Sequence, residues 1–527
     1  MQLTELLCQH KFAACRERQP CRTVIPIRGG IVAPELLATF TSTLPADDHH
    51  PYRTGPWRPQ RNEWRALDLE VVEGKVPDDL DGVYLRQTEN PLHPPIKHYH
   101  PFDGDGMLHC IEFRDGKANY HNKFVRTDGF LAEQQAGRSL WAGFIENPSD
   151  AERTDGWGAR GRMKDASSTD VIVHRGVALT SFYLCGDLYR VDPYTAETLG
   201  KETFGGRIPD WGVSAHPKVD PVTGELLFFS YSKESPYLKW GTVDKDGNLL
   251  HLDDVELPGP RMPHDMAFTE NYVIFNDLPL FWDPELLRLD LHLPRFFPEL
   301  SSRWAVVPRH GDRSKVMWFE TDPTYVLHFT NAYEDGDEIV LDGFFQANPS
   351  PSVHGARSIE EAAFRWLGLD MFESHLHRWR FNLVTGKASE ERLSESFTEF
   401  GMINPDLQTR DYRYIYAATG VPGKFLFDGL VKHDLRTGAQ ERVSFGDGVF
   451  VSETPMAPRV GSTGEDDGYL VTFTMDMNDD ASYCVVLDAA RPADGPVCKL
   501  RLPERICSGT HSTWADGAEL RQWHPGR

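Results

Sequence analysis

The chain has 527 residues, of which 40% are hydrophobic and 11% are aromatic. A chain of this length and composition can bury a large core without disulfides or structural metals, and it is too rich in aromatic residues to be disordered. Its 55 Lys and Arg residues are outnumbered by 79 Asp and Glu residues, which leaves a formal net charge of -24 at pH 7. This charge repels phosphate backbones, so the composition excludes nucleic acid as a partner.

The sequence contains no stretch close to the roughly 20 consecutive apolar residues that a membrane-spanning helix needs. The first residues, MQLTELLCQHKFAACRERQPCR, lack the basic start, apolar stretch and cleavage site of a secretory signal. The eight cysteines include no CxxC pair, which indicates reduced thiols rather than a disulfide framework or a zinc site. We therefore expect a cytoplasmic protein.

The chain changes character near residue 60. Residues 1–60 contain three cysteines and a charged, Pro-rich stretch without a strand or helix period, so they are predicted to form a partly ordered N-terminal arm. From Leu67 onward, short runs of Val, Ile, Leu, Phe and Tyr are interrupted by Gly, Asp, Asn and Pro, which predicts many short antiparallel strands. Residues 61–527 are expected to form a single all-β domain.

Four stretches repeat a strand, a polar turn and a second strand: LYRVDPYTAETLGKETF, GTVDKDGNLLHL, HRWRFNLVTGKASEERL and VKHDLRTGAQERVSF. Hairpins that recur at long, irregular intervals indicate a β-propeller with decorated loops, with a series of β-sandwiches as the alternative. Two segments, 283–300 and 358–372, are predicted to be helical insertions that cap the blades. The first is rich in Leu and Phe, so it could be a lid, a channel wall, a peripheral contact with a membrane or an ordinary buried insertion.

Four of the 21 histidines occur where an apolar run meets a turn: His216, His264, His328 and His511. In a propeller this is the inner end of a blade, so four imidazoles could converge on the axis. An all-histidine site leaves the full divalent charge on a metal and positions open for dioxygen, which points to iron(II). Because a metal-bound histidine usually donates its other N–H to a carboxylate, Glu334 and Glu453 are the candidate partners.

Six segments resemble, in order, the signature segments of the carotenoid cleavage oxygenases: HYHPFDGDGMLH, SAHPKVDPVTGEL, MPHDMAFTENYVIF, HFTNAYEDGDEIVLD, EDDGYLVTF and SGTHSTW. The resemblance runs from about Leu67 to Trp514. It implies a seven-bladed propeller with an axial iron(II) ion held by four histidines, under loops that form a substrate tunnel. The positions that match the family's ligands are the same four histidines, and Glu334 and Glu453 match its carboxylates.

Two departures from the family pattern concern the chemistry. Where many relatives have a third carboxylate, this chain has Leu184, so one ligand lacks an anionic partner unless Asp187 or a backbone carbonyl replaces it. The stilbene-cleaving relatives use a Tyr and a Lys to bind and deprotonate a substrate hydroxyl, and the matching positions here are Phe144 and Tyr183. Without that Lys, the alkene must already be electron-rich, as a conjugated polyene is.

The resemblance implies a substrate tunnel, and one threonine and several aromatic residues are candidates to line it, although aromatic residues of a propeller are more often part of its core. Thr169 matches a threonine that crowds the open position at iron in relatives, and several aromatic residues are candidates to contact the substrate. The candidate tunnel residues are Phe144, Thr169, Tyr183, Phe281, Trp282 and Phe345, with Phe296 and Phe297 as further aromatics.

The sequence therefore predicts a non-haem iron(II) dioxygenase that cleaves a carbon–carbon double bond of a carotenoid or apocarotenoid to carbonyl products. One alternative keeps the iron but has a lignostilbene or phenylpropanoid substrate, with Tyr183 replacing the missing Lys. The other is a non-catalytic propeller that binds a lipid or a protein and holds no stoichiometric iron. Which double bond is cleaved and the oligomeric state stay open.

Overall fold

Consecutive antiparallel strands form seven blades in the computed structural model, which describes residues 33–153, 163–288 and 294–527. At most boundaries between blades the first strands of the two blades pack beside one another, so the blades surround a common axis. This arrangement confirms the all-β propeller and not the alternative of serial sandwiches. Each blade begins with a strand near this axis and continues outward.

The first four blades contain the N-terminal half of the chain. Blade 1 contains Ser512–Asp516, Gly82–Asn90, Asp105–Arg114 and Lys117–Phe124, extended by Asn62–Ala66 and Glu35–Thr39. Blade 2 contains Asp170–His174, Val177–Ser181, Leu188–Val191 and Thr198–Glu202. Blade 3 contains Lys218–Val219, Leu226–Tyr231, Leu238–Val243 and Leu249–Asp254. Blade 4 contains Ala267–Phe268, Tyr272–Asp277, Ser302–Pro308 and Met317–Thr321, with an inserted hairpin of Leu280–Trp282 and Pro294–Phe296.

One long strand, Ala388–Met402, joins the next two blades. Blade 5 contains Phe329–Asp335, Glu338–Gln346, Ser374–Asn382 and the first half of that strand. Blade 6 contains its second half, Tyr414–Gly420, Phe427–Asp434 and Gln440–Ser444. Blade 7 contains Val449–Phe450 and Met456–Pro458, which both pair with Gly468–Asp476, followed by Ala481–Asp488, Pro496–Arg501 and Val71–Gly74.

The two ends of the propeller domain close the ring. The C-terminal strand Ser512–Asp516 pairs with Gly82–Asn90 in blade 1, and the early strand Val71–Gly74 pairs with Pro496–Arg501 in blade 7. Between these two blades, Ile111 and Tyr120 pack against Val471 and Phe473. Burying side chains of this size contributes about 1.5–3 kcal/mol each, so the closure is stabilised by a core as well as by hydrogen bonds.

The four stretches predicted to be hairpins do form hairpins. They are the third and fourth strands of blades 2, 3, 5 and 6. In each turn an Asp or Asn side chain accepts a hydrogen bond from the backbone N–H two residues later. These residues are Asp192, Asp244, Asn382 and Asp434. The same local device therefore reverses the chain in four different blades.

The insertions form the cap, but only one of the two is helical in the way that was predicted. Segment 358–372 forms two short helices, Ile359–Phe364 and Leu369–Phe372, between two strands of blade 5. In segment 283–300 the helix ends after Pro284–Leu287, because Pro294–Phe296 pairs with Leu280–Trp282 as a strand. The prediction of a helix over that whole segment is therefore wrong, and 289–293 lie outside the described residues.

Few other helices accompany the strands. The remaining helices are Asp128–Ala136 and Gly517–Trp523, and the 3-10 turns are Gly55–Trp57, Pro101–Asp103, Pro148–Asp150, Pro405–Leu407 and Pro492–Asp494. Within the described ranges, none of the helices is long and apolar enough to cross a membrane. The five described cysteines are free thiols.

The N-terminal arm contacts the propeller over its described part, residues 33–60. Glu35–Thr39 pairs with Asn62–Ala66, so the arm adds a strand to the outer edge of blade 1. Further on, Trp57 is 1% exposed and its indole N–H donates to the backbone carbonyl of Phe425 at 3.2 Å. Residues 1–32 lie outside the described residues.

Candidate metal centre and substrate cavity

Four histidines meet at the propeller axis. His511, His216, His264 and His328 come just before the first strands of blades 1, 3, 4 and 5. One nitrogen of each lies within 4.8 Å of the corresponding nitrogens of the others, and the Nε2 atoms of His216 and His264 are 3.2 Å apart. Nε2 of His328 is buried and has no hydrogen-bond partner. This donor set fits a first-row transition metal, and the structure brings together all four histidines that the sequence singled out.

The backbone at His216 is held in an unusual conformation. Its φ of 62° lies in the left-handed region, which is sparsely populated by residues other than glycine. The preceding backbone is fixed, because the N–H of Ala215 donates to the carbonyl of Phe182 at 3.1 Å and the N–H of Ser214 donates to that of Phe229 at 2.9 Å. Such strain persists where the surroundings determine it, and here it directs an imidazole towards the axis.

Burial keeps most of these imidazoles neutral. It lowers the pKa of His264 to about 3 and holds the pKa values of His216 and His328 well below their ordinary range, with neighbouring imidazoles adding to the effect. Burial opposes protonation of His511 too, but the carboxylate of Glu453, together with those of Asp170 and Asp265, outweighs burial and raises the pKa of His511. Three of the four ligand candidates therefore present a free lone pair at neutral pH.

Three of the histidines pair with carboxylates from the adjacent blade. Oε2 of Glu399 in blade 6 lies 2.7 Å from Nδ1 of His328, and Oε1 of Glu453 at the start of blade 7 lies 3.2 Å from Nδ1 of His511. Asp170, the first residue of blade 2, places Oδ2 at 3.3 Å from Nδ1 of His216. Burial raises the pKa of Glu399 well above its usual value, so its ionised form needs a nearby positive charge, which a divalent cation would supply.

His264 is the exception among the four histidines. It lies in blade 4, between blades 3 and 5, which present His216 and His328. In the described part of the chain, no carboxylate is paired with His264. Leu184 is buried and apolar, and Asp187 forms an ion pair with Lys201 at 2.6 Å, so Asp187 does not replace the missing partner.

Glu334 is not a partner of a ligand, so that prediction is wrong. Its carboxylate accepts hydrogen bonds from the hydroxyl of Thr269 at 2.6 Å, the backbone N–H of Asn271 at 2.9 Å and the side-chain amide of Asn271 at 3.0 Å. It lies at the far end of strand Phe329–Asp335, away from His328. The sequence analysis missed Glu399, because no recognisable motif surrounds it. It also missed Asp170, although this residue follows directly after the candidate Thr169.

An apolar cavity of about 400 Å³ reaches the histidine cluster at His264. Its wall is formed by aliphatic and aromatic side chains from the blades and from the cap, among them Phe144, Tyr183 and Phe400. At the cap, Val353 and Ile359 line the cavity and are 45% and 43% exposed, so this is where the cavity meets the surface. Such a cavity suits an extended apolar ligand.

Only part of the predicted tunnel lines this cavity. Phe144 and Tyr183 do, with ring centroids 5.5 Å apart. Thr169 does not; its hydroxyl accepts a hydrogen bond from the backbone N–H of Tyr183 at 3.1 Å, so it positions the residue that does.

The remaining predicted aromatics point elsewhere. Phe281 stacks on Phe297 with centroids 4.4 Å apart, and Trp282 packs beside Tyr231 in the core. Phe345 stacks on His377 at 4.8 Å, on the opposite face of its strand from Gln346, which lines the cavity. The prediction that Phe281, Trp282, Phe345, Phe296 and Phe297 line the tunnel is wrong for the described wall, because strand alternation and inserted hairpins set the direction of each side chain.

A second, more polar cavity of about 320 Å³ reaches the other three histidines, His216, His328 and His511. Asp170, Lys218 and Asp265 lie along it, and the ammonium group of Lys218 is 2.8 Å from the carboxylate of Asp265. No described residue lines both cavities, so they approach the cluster from different directions. The cluster therefore lies between an apolar and a polar compartment.

A four-histidine cluster on a propeller axis fits a metal centre, and the apolar cavity beside it fits a small apolar ligand. The comparisons with known proteins agree. The family model described as "Retinal pigment epithelial membrane protein" matches residues 57–516. The carotenoid 9,10(9',10')-cleavage dioxygenase 1 of Pisum sativum is 33% identical over 514 residues, which cover 92% of each chain.

Solved structures show the same relationship. Lignostilbene dioxygenase of Pseudomonas brassicacearum superposes with a TM-score of 0.77 at 29% identity, covering 89% of this chain and 99% of its own. A cobalt-substituted apocarotenoid oxygenase of Synechocystis superposes with a TM-score of 0.75 at 26% identity, covering 87% of this chain and 97% of its own. The chain belongs to the carotenoid cleavage oxygenase family, and it is an enzyme that cleaves alkenes with dioxygen.

Proposed function

We propose that the enzyme binds iron(II) at the four histidines and cleaves one double bond of a carotenoid or apocarotenoid, giving two carbonyl products. The observation that supports this substrate class best is the cavity beside His264, because none of the described residues along its wall is an Asp, Glu, Lys or Arg. A wall of this kind binds a polyene by burying it and offers no partner for a charged substrate.

One set of residues would hold the metal, and another would hold the substrate. His216, His264, His328 and His511 would hold the iron, and Asp170, Glu399 and Glu453 would fix the orientation of three of these imidazoles. When bound, iron(II) supplies the redox chemistry that allows dioxygen to react with an alkene. The apolar wall excludes water and determines which double bond stops beside His264.

A lignostilbene-type substrate is the second candidate, and Tyr183 argues against it. That chemistry needs a base that deprotonates a phenol, and no described Lys lines the cavity. Burial raises the pKa of Tyr183 well above its ordinary value, so its hydroxyl stays protonated and can donate a hydrogen bond but is a poor base. A polyene needs no such base.

The test is mass spectrometry of the products from iron-loaded protein, incubated in air with a mixed panel of carotenoids, apocarotenals and hydroxystilbenes. We expect aldehydes or ketones from the polyenes and none from the stilbenes. Aromatic aldehydes from the stilbenes would contradict the argument from Tyr183. The His264→Ala protein, which lacks a ligand, is the control for cleavage that does not depend on the site.

A further inference from the structure

One amide group on the apolar wall has no protein partner. Gln346 is 1% exposed and lines the cavity, and its side-chain nitrogen Nε2 is buried without a hydrogen-bond partner. Buried polar groups in folded proteins are nearly always paired, because an unpaired donor loses its hydrogen bonds to water and gains nothing in return. An unpaired amide facing a ligand cavity therefore calls for a partner within the cavity.

The backbone around Gln346 is fixed by hydrogen bonds, so its side chain starts from a defined position on the wall. The hydroxyl of Thr324 accepts a hydrogen bond from the N–H of Gln346 at 3.1 Å and donates to its carbonyl at 3.0 Å. Gln346 is also the last residue of strand Glu338–Gln346 and pairs with Ser374. When the amide binds a ligand, only the rotamers of this one side chain have to be ordered.

Most other polar groups on this wall are already used within the protein. The hydroxyl of Tyr325 donates to the carbonyl of Met262 at 2.8 Å, and that of Tyr231 donates to the carbonyl of Tyr183. The hydroxyl of Tyr183 is the other buried polar atom of the wall without a partner among the described residues, and its ring lies at the metal end, 6.4 Å from that of His264. Gln346 is therefore the amide donor left for a ligand.

We propose that Gln346 determines substrate specificity by donating a hydrogen bond to an oxygen atom of the polyene. The inference rests on the proposed function and narrows it: the preferred substrate carries a hydroxyl or carbonyl group, as xanthophylls and apocarotenals do, and is not a hydrocarbon carotene. A site built around a buried donor discriminates against the analogue that lacks the acceptor, because that analogue leaves the donor unpaired.

The test compares binding of a hydrocarbon carotene and of its hydroxylated counterpart, together with an apocarotenal and the corresponding alcohol. Binding is followed under argon by quenching of tryptophan fluorescence in metal-loaded protein, so that no turnover occurs. In the Gln346→Met protein, which keeps the side-chain length and removes the donor, we expect affinity for the oxygenated ligands to fall about tenfold. Affinity for the hydrocarbon should change less than about twofold, within the range of a near-isosteric swap.

A neighbouring residue provides the matched control. Phe345 precedes Gln346 on the same strand but faces away from the cavity, so Phe345→Leu should leave the ratio of oxygenated to hydrocarbon affinity unchanged. Gln346→Leu is a second variant in case the Met variant does not fold, and thermal unfolding monitors both. An equal loss for both ligand classes in the Gln346 variants would overturn the proposal and assign the amide to packing or to a bound water.

The proposal and the proposed function fail in different ways. If wild-type protein binds and cleaves polyenes but the Gln346 variants show no selective loss, only the oxygen-binding role is wrong. If wild-type protein binds none of the four ligands and cleaves none of them, the carotenoid function itself is wrong. If the Gln346 variants lose affinity only for the oxygenated ligands but wild-type protein cleaves none of the four, the binding role of Gln346 stands and the enzyme carries out a different reaction on these ligands.

Discussion

Oδ2 of Asp170 lies 3.3 Å from Nδ1 of His216, although the two residues belong to different blades. Asp170 begins blade 2, and His216 immediately precedes blade 3. The same relationship joins Glu399 to His328 and Glu453 to His511 across the neighbouring blade boundaries. Each of these three carboxylate–imidazole pairs therefore crosses a blade boundary, and among the described residues no carboxylate is paired with His264.

The first prediction concerns Asp170. Asp170→Asn removes the negative charge beside His216 but keeps the size of the side chain, so the imidazole becomes less basic and less firmly oriented. We expect iron to dissociate about tenfold faster, as measured by transfer to a coloured chelator. Asp187→Asn is the matched control, because Asp187 pairs with Lys201 instead of a ligand. Equal dissociation rates for the two variants would show that Asp170 does not act on the metal.

The second prediction separates the two glutamates. Glu399→Gln should weaken iron binding by about 10-fold to 100-fold, because His328 loses its carboxylate. Glu334→Gln should leave the iron content unchanged and lower the free energy of unfolding by about 1–2 kcal/mol, since Glu334 only fastens the turn at Thr269 and Asn271. Metal analysis and denaturant unfolding measure the two effects. Loss of iron in the Glu334 variant would instead support the prediction from the sequence that Glu334 is the partner of a metal ligand.

The third prediction concerns the ligand without a carboxylate. In His264→Ala the metal loses a ligand and the apolar cavity loses its contact with the centre. We expect near-complete loss of bound iron and of turnover, with an unchanged circular dichroism spectrum. His310→Ala, at an exposed histidine, should retain both iron and turnover. Full activity in the His264 variant would exclude the four-histidine assignment.

The fourth prediction concerns the N-terminal arm. Trp57 is almost fully buried and its indole N–H donates to Phe425, so Trp57→Ala leaves a cavity and an unpaired carbonyl. We expect the free energy of unfolding to fall by about 3–5 kcal/mol, measured by chemical denaturation. Trp523, which is 42% exposed, is the comparison, and Trp523→Ala should cost clearly less. A loss for Trp57→Ala as small as that for Trp523→Ala would mean that packing of the arm at Trp57 does not stabilise the propeller.

Local chemistry determined much of this protein. The turns that begin at Asp192 and Asp434 depend on hydrogen bonds between residues two or three apart, so the repeated hairpins and the propeller could be predicted from the sequence. The four histidines could be identified for a similar reason, since each stands where an apolar run meets a turn. Both signals lie within a few residues along the chain.

The tertiary structure alone decided which residues meet. His328 and Glu399 are 71 positions apart, and their contact exists because blades 5 and 6 share the strand Ala388–Met402. Likewise, strand alternation turned Phe345 towards His377 and left Gln346 facing the cavity. Contacts of this kind depend on how the ring closes and on which face each strand presents, and neither is encoded by neighbouring residues.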